Sequence, residues 1–432
     1  MNAMEINTFV VQLPTYMRDA NKALFEPRVV SIGPYHHGHR STGNMEVHKD
    51  RFRRSFLQRL GNVSHQDAID RCIEGALQCY SGSIGMYTAE MLTRDGCFVV
   101  ELLLRWNEGR EAHVDNHIRL MSNCIYYDLL LVDNQIPFFV LDRLFNEFLK
   151  HVNGHPIFNR ESNLVNLFIR FFNNAGQFSW ANLEVLNLPH ADDQPIRHLL
   201  DLQYRLVISN NMGIGEQGRC NNCSFSLCID VCPVATMARG IPGANELEDN
   251  GVRFHVKELD QHVKLFDVTF RDKTIGIPRF EINFGSKILL ANLFAHEQAN
   301  GGGNGAGVVV VGAVTSYVVL MNALINSRED VVVLQRKRIV DNLLSNEEEV
   351  ASFFNELGRC ALVDVTNHRY TAMFRDVNSY LRNRLNCCKY CAIFSLKHCK
   401  NPLTCLSLLG AIMLLIFSCT SMIFAILKYA RG

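Results

Sequence analysis

Four cysteines in "CNNCSFSLCIDVC" (Cys220, Cys223, Cys228 and Cys232) follow a C-x2-C-x4-C-x3-C spacing. Thiolates so placed can wrap one zinc ion in a short knuckle, which makes these four the candidate metal ligands and zinc the one cofactor the residues suggest. Free thiols in a variable loop are the alternative reading. A second stretch, "RVVSIGPYHHGHRSTGNMEVHK", gathers His36, His37, His39 and His48. A zinc site needs three or four ligands converging on one point, whereas adjacent histidines point apart. Gly33, Pro34 and Gly38 mark a turn, and imidazoles bonded to the backbone are the expectation there. A hydrolase could draw on Cys97 or on this turn if a pocket joined a perturbed cysteine to a histidine. The chain lacks a P-loop lysine, a G-x-S-x-G elbow, an H-E-x-x-H pair and a kinase signature set, so no catalytic residue is assigned. The glycines of "ANGGGNGAG" precede an apolar run instead of following a strand, which argues against a dinucleotide site.

The elements around these residues read as mainly helical. Glu46–Leu60 carries Phe52, Phe56, Leu57 and Leu60 at helical spacing. Residues 86–106 read as a buried helix with Gly96 inside it, a glycine that implies close packing. Asp133 and Asn134 offer capping side chains ahead of Pro137, and Phe138, Leu141, Phe145, Phe148 and Leu149 line one face of the helix that follows. "VRFHVKE", "KLFDVTF" and "IGIPRFEIN" are short strand-like runs, with "RDKT" as a hairpin turn. Ser345 and Glu348 stand at capping-box spacing before a helix that stops at Gly358. The uncharged run Val308–Ile325 reads as core, as a strand or strand-to-helix passage.

Lys+Arg and Asp+Glu are both 43, so charge gives no case for nucleic acid as a partner. The N-terminus lacks a basic region followed by a long apolar one and reads as no signal peptide. No charge occurs from Asn401 to Leu427, and a bilayer core takes about 20 apolar residues in a helix. The expectation is a single-pass C-terminal membrane anchor, placed at the plasma membrane, with the main domain in the cytosol. Cys387, Cys388, Cys391, Cys399 and Cys405, set among basic residues, would then be palmitoylation candidates.

Several blocks in order carry a family resemblance: "EPRVVSIGPYHHG" with "MEVHK", "MLTRDGCFVVELL", "DLLLVDNQIPFFVLDRLF", "HLLDL", "ANELEDNGVRF", "IPRFEIN" with "NLFAHEQ", and "SREDVVVL". From about Ile6 to the C-terminus the chain resembles the plant family called domain of unknown function 247. The resemblance implies a plant protein with a C-terminal transmembrane helix and no established enzymatic activity or cofactor. Some grass members are implicated in self-incompatibility, which implies recognition of a protein or peptide ligand. The cysteine-rich and glycine-rich stretches fall between the blocks and read as variable recognition surface.

The expected fold is therefore α+β and predominantly helical. It comprises one large globular domain, 1–385, with a small antiparallel sheet near 252–284 and variable loops near 205–243 and 299–307. A basic, cysteine-rich segment, 386–400, leads to a transmembrane helix, 401–427, and a short tail, 428–432. The expected function is a membrane-anchored, non-enzymatic recognition or signalling protein. The alternatives are a hydrolase-like enzyme and a zinc-dependent interaction module at Cys220–Cys232.

Overall fold

In a computed structural model the described residues are 8–61, 73, 75–109, 116–152, 157–158, 162–175, 195–211, 240–259, 263–300, 312–361, 368–383 and 413–423. They are mostly helical, with two small sheets. The chain divides into two compact units, Met1–Ala372 and Met373–Gly432.

In the first unit the helix Ala89–Asn107 is the hub, packed against the helices Met45–Arg59, Phe138–Leu149 and Leu164–Ala175. Thr88 caps it, its hydroxyl accepting the Met91 N–H at 3.3 Å. Gly96 lets the Phe138–Leu149 helix come close: a Cβ there would stand 2.8 Å from Leu144 Cδ1. Phe138, Leu141, Phe145, Phe148 and Leu149 are all buried, as the spacing of that face requires.

A second focus is the helix Phe284–Asn300, buried on every side from Gly285 to Glu297. Its neighbours include Ala313–Leu324, which in turn packs on Glu347–Cys360. The described part of the 308–325 run is thus a core helix, not a strand, with Val314, Tyr317, Val318, Leu320 and Met321 at 0% exposure. Tyr317 lies between the rings of Phe266 and Phe280, 5.8 and 5.9 Å away, and its buried hydroxyl has no hydrogen-bond partner among the described residues. An unpaired buried hydroxyl costs stability, so Tyr317→Phe is expected to raise the unfolding free energy by about 1 kcal/mol. A urea titration of both proteins checks it.

The three-stranded sheet is mixed, which corrects the antiparallel expectation. Thr274–Pro278 is central, antiparallel to Thr269–Arg271 but parallel to Arg253–Lys257. The hairpin after Arg271 accounts for the antiparallel pair. The longer passage after Lys257 brings the chain back in the same direction, as parallel pairing requires. Asp272 and Lys273 both have positive φ, 49° and 63°, the left-handed pair that matches strand twist in a two-residue hairpin. Asn and Gly occupy such positions with less strain, so the Asp272→Asn/Lys273→Gly double variant should be more stable by about 0.5–1 kcal/mol, seen as a higher urea midpoint. Phe280–Ile282 and Val340–Asn342 form a second, parallel pair.

Asn346, not Ser345, caps the last long helix of this unit: its Oδ1 accepts the Glu349 N–H at 2.8 Å. The helix runs on through Gly358 to Cys360.

In the second unit residues 373–383 and 413–423 are helical. No helix among the described residues is long and apolar enough to cross a membrane. A bilayer core of about 30 Å takes about 20 residues of helix at about 1.5 Å per residue. This overturns the expected C-terminal transmembrane helix, and with it the membrane localisation and single-pass anchor. Hydropathy counts uncharged residues, whereas a span needs one continuous helix of that length.

Candidate functional site

The histidine turn does not converge on a point. His36 is buried and its Nε2 meets Asp133 Oδ1 at 2.7 Å. The His37 ring packs edge-on against Tyr87 at 5.4 Å, and His39 Nδ1 meets Ser41 Oγ at 2.8 Å. Three neighbouring imidazoles thus serve three different partners. Among the described residues no group of His, Cys, Asp or Glu could hold a metal ion. Cys220, Cys223, Cys228 and Cys232 lie outside the described residues.

What gathers around the turn is a buried polar network drawn from separate signature segments. Asp133 accepts from His36, from Arg18 and from the Leu13 N–H at 3.3 Å. Burial alone would raise its carboxyl; the His36 bond and the Arg18 charge hold it below the usual carboxylate range instead. Asn134 Oδ1 accepts the Ile32 N–H at 2.6 Å, and its amide donates to the carbonyls of Val30 and Asp128. Gln135 donates to the carbonyls of Leu129 and Leu131 and accepts from the Leu200 N–H. Asp133 and Asn134 therefore do not cap the following helix. They satisfy the N-terminal segment, and the Phe138 N–H turns to the Arg197 carbonyl at 2.7 Å.

Lys49 is a second cation of the network, after Arg18. Its ammonium, with a side chain 0% exposed, reaches Asp95 at 2.8 Å, Glu46 at 2.7 Å and the Ser31 carbonyl at 2.6 Å. Asp95 also accepts from Tyr87 Oη at 2.6 Å and from the Gly33 N–H at 3.1 Å. Gly33 has φ +79°, and a Cβ there would lie 2.6 Å from the Gln135 carbonyl oxygen; only glycine tolerates both. Asp128 takes the N–H groups of Arg28, Val29 and Val30 at 3.0, 2.7 and 2.8 Å, and burial still pushes it up to about 6. Asn292 joins the network from the far end of the chain, accepting from the Val132 N–H and donating to the Leu24 carbonyl, both at 2.9 Å.

Among the described residues the arrangement satisfies buried charge and backbone. Cys97 is fully buried in its helix. One cavity lies among Leu102, Trp106, Ile118, Ile125 and Phe171, and another among Met17, Leu24, Phe25, Phe353 and Leu357. Each holds about 10 Å³, room for one water at most, against about 300–1,000 Å³ for a small-molecule site. Tyr87, Lys49 and Asn292 carry much of the network and were not singled out by sequence reasoning. Lys49 and Asn292 lie inside the quoted blocks, which was their signal; Tyr87 lies just ahead of one.

Fold and site together define a class: a mainly helical scaffold in which several of the sequence blocks meet in a buried polar network. The chain belongs to the DUF247 family, described as plant protein of unknown function, whose family model matches residues 10–417. A UPF0481 protein of Arabidopsis thaliana, At3g47200, is 24% identical over 440 residues, covering 97% of this chain and 86% of its own length. A putative UPF0481 protein of the same plant, At3g02645, is 21% identical over 454 residues, covering 88% of this chain and 83% of its own length. No solved structure matches the chain significantly.

Proposed function

We propose that this chain is a non-enzymatic recognition or signalling protein that binds a protein or peptide partner. The observation that carries this reading is where the shared ionisable residues sit. Lys49, Asp95, Asp133 and His36 pair with one another inside the core, and a reacting group must instead face its substrate. A scaffold so braced suits the display of variable loops, and the segments within 205–243 and 299–307 are the surfaces assigned to the partner. The narrower form, a self-incompatibility determinant, follows from the family resemblance to grass members.

Proximity labelling with the full chain in its native tissue tests the reading. One protein or peptide enriched reproducibly over the tag control, and lost when residues 212–239 are exchanged for a neutral linker, is the expected result. The purified chain should show no turnover across a panel of ester, amide and phosphate substrates. Turnover abolished by Cys97→Ser in a protein that melts like the parent would replace this reading with the hydrolase one.

A further inference from the structure

A second polar cluster lies apart from the Asp133 network, where the helix Leu199–Asn211 meets Phe284–Asn300 and the start of Ala313–Leu324. His198 Nδ1 accepts the Asp201 N–H at 3.2 Å. His296 Nε2 meets Asp201 Oδ1 at 3.3 Å, and its Nδ1 faces the Asn300 amide nitrogen at 3.3 Å. The two imidazoles pack edge to face, 5.2 Å apart, and both residues are 2% exposed. Arg197 and Arg205 each bind Asp201 at 2.9 Å. On the other side Glu297 accepts from Tyr204 Oη at 2.7 Å and caps the next helix through the Val314 and Thr315 N–H groups at 3.3 and 2.5 Å. Gly312 leaves the room for this: a Cβ there would overlap the Glu297 side chain.

We infer that this cluster is an acid-sensitive latch that holds the roots of the chain's two variable segments. Its described residues flank them: Asn211 precedes 212–239, and Asn300 and Gly312 bracket 301–311. The inference rests on the recognition reading only for what the latch controls. The chemistry is geometric. A neutral imidazole offers one acceptor nitrogen, and His198 uses that acceptor for a backbone N–H. An imidazolium has two donors and no acceptor, so protonation breaks the bond and sets a cation beside its neighbour ring and two guanidinium groups. Burial accordingly lowers both imidazoles from their ordinary value.

The sign follows from linkage. With folded values below about 6.5, the latch is at full strength above that pH and weakens as pH falls through it, because the open form takes up protons the closed form refuses. Two histidines give up to about 100-fold in the opening equilibrium per pH unit. Glu297, which burial raises, opposes with at most one proton, leaving about 10-fold where all three groups titrate together. The Asp201 carboxyl stays ionised throughout: burial works against it, but the His296 bond and the Arg197 charge hold it far below the usual range. Among the described residues, Thr315 and Ser316 on the third helix bring no charge to the contact.

Hydrogen exchange of the full chain between pH 7.5 and 5, corrected for intrinsic rates, reads the latch without any partner. The amides of Leu202, Thr315 and Ser316 should open 10- to 100-fold more per pH unit below about 6.5, while those of Leu102–Leu104 change less than about threefold. His296→Gln should lower the slope by about 10-fold per unit. Parallel behaviour of the two amide sets in the parent chain would overturn the latch, as would an unchanged slope in a folded His296→Gln protein. Failure to capture a partner in tissue would bear on the recognition reading alone.

Discussion

Asp133→Ala is expected to lower stability by about 3–5 kcal/mol, the range for removing one partner from a buried charge pair. The carboxylate receives His36, Arg18 and the Leu13 N–H, so its loss strands a guanidinium, an imidazole and a backbone donor together. Asp133→Asn keeps an acceptor and should cost clearly less. Urea titrations of the three proteins at pH 7, followed by tryptophan fluorescence, measure this. An alanine variant with the parent midpoint would show that the network adds nothing to folding. If the network were instead catalytic, the loss would appear in turnover at unchanged stability.

Phe145→Asp should be at least as damaging, at about 5 kcal/mol, because it removes a buried aromatic ring and leaves an unpaired charge in its place. Phe145 is 1% exposed on the face that the Phe138–Leu149 helix turns to the core. Phe145→Leu keeps an apolar group there and should lose only about 1–2 kcal/mol. The same fluorescence assay ranks the pair. Equal melting of the aspartate variant and the parent would mean that the core has been misplaced.

The sequence disclosed the parts of this fold that depend on near neighbours. The apolar face from Phe138 to Leu149, the close-packed Gly96 and the hairpin at Asp272–Lys273 are set by periodicity, by a missing side chain and by a short turn. It did not disclose the partners of Asp133 and Asn134. Both sit before a proline and a helix, where capping is the local expectation, but their partners lie about a hundred residues back in the chain. Local chemistry makes a residue able to bond; only the tertiary fold decides with what. The Ser345/Asn346 cap shows the same limit at short range, since two good capping residues in succession leave the choice to the incoming chain direction. The C-terminal run misled for another reason. Hydropathy reports on solvent preference, whereas a span needs one long continuous apolar helix, and none occurs among the described residues.

Asn292 has a consequence for how the chain is made. Its amide completes bonds to Leu24 and Val132, and at about 5–20 residues per second a ribosome delivers it on the order of 10–50 s after Leu24. Until then the Leu24 carbonyl and, once it has been made, the Val132 amide must wait, hydrated or held by chaperones, while the apolar surface around them has no lid. A gene cut anywhere between these positions yields fragments that each keep half of the joint, so expression of separate halves should give insoluble product. Co-expression is the one arrangement in which the halves could find each other before aggregating.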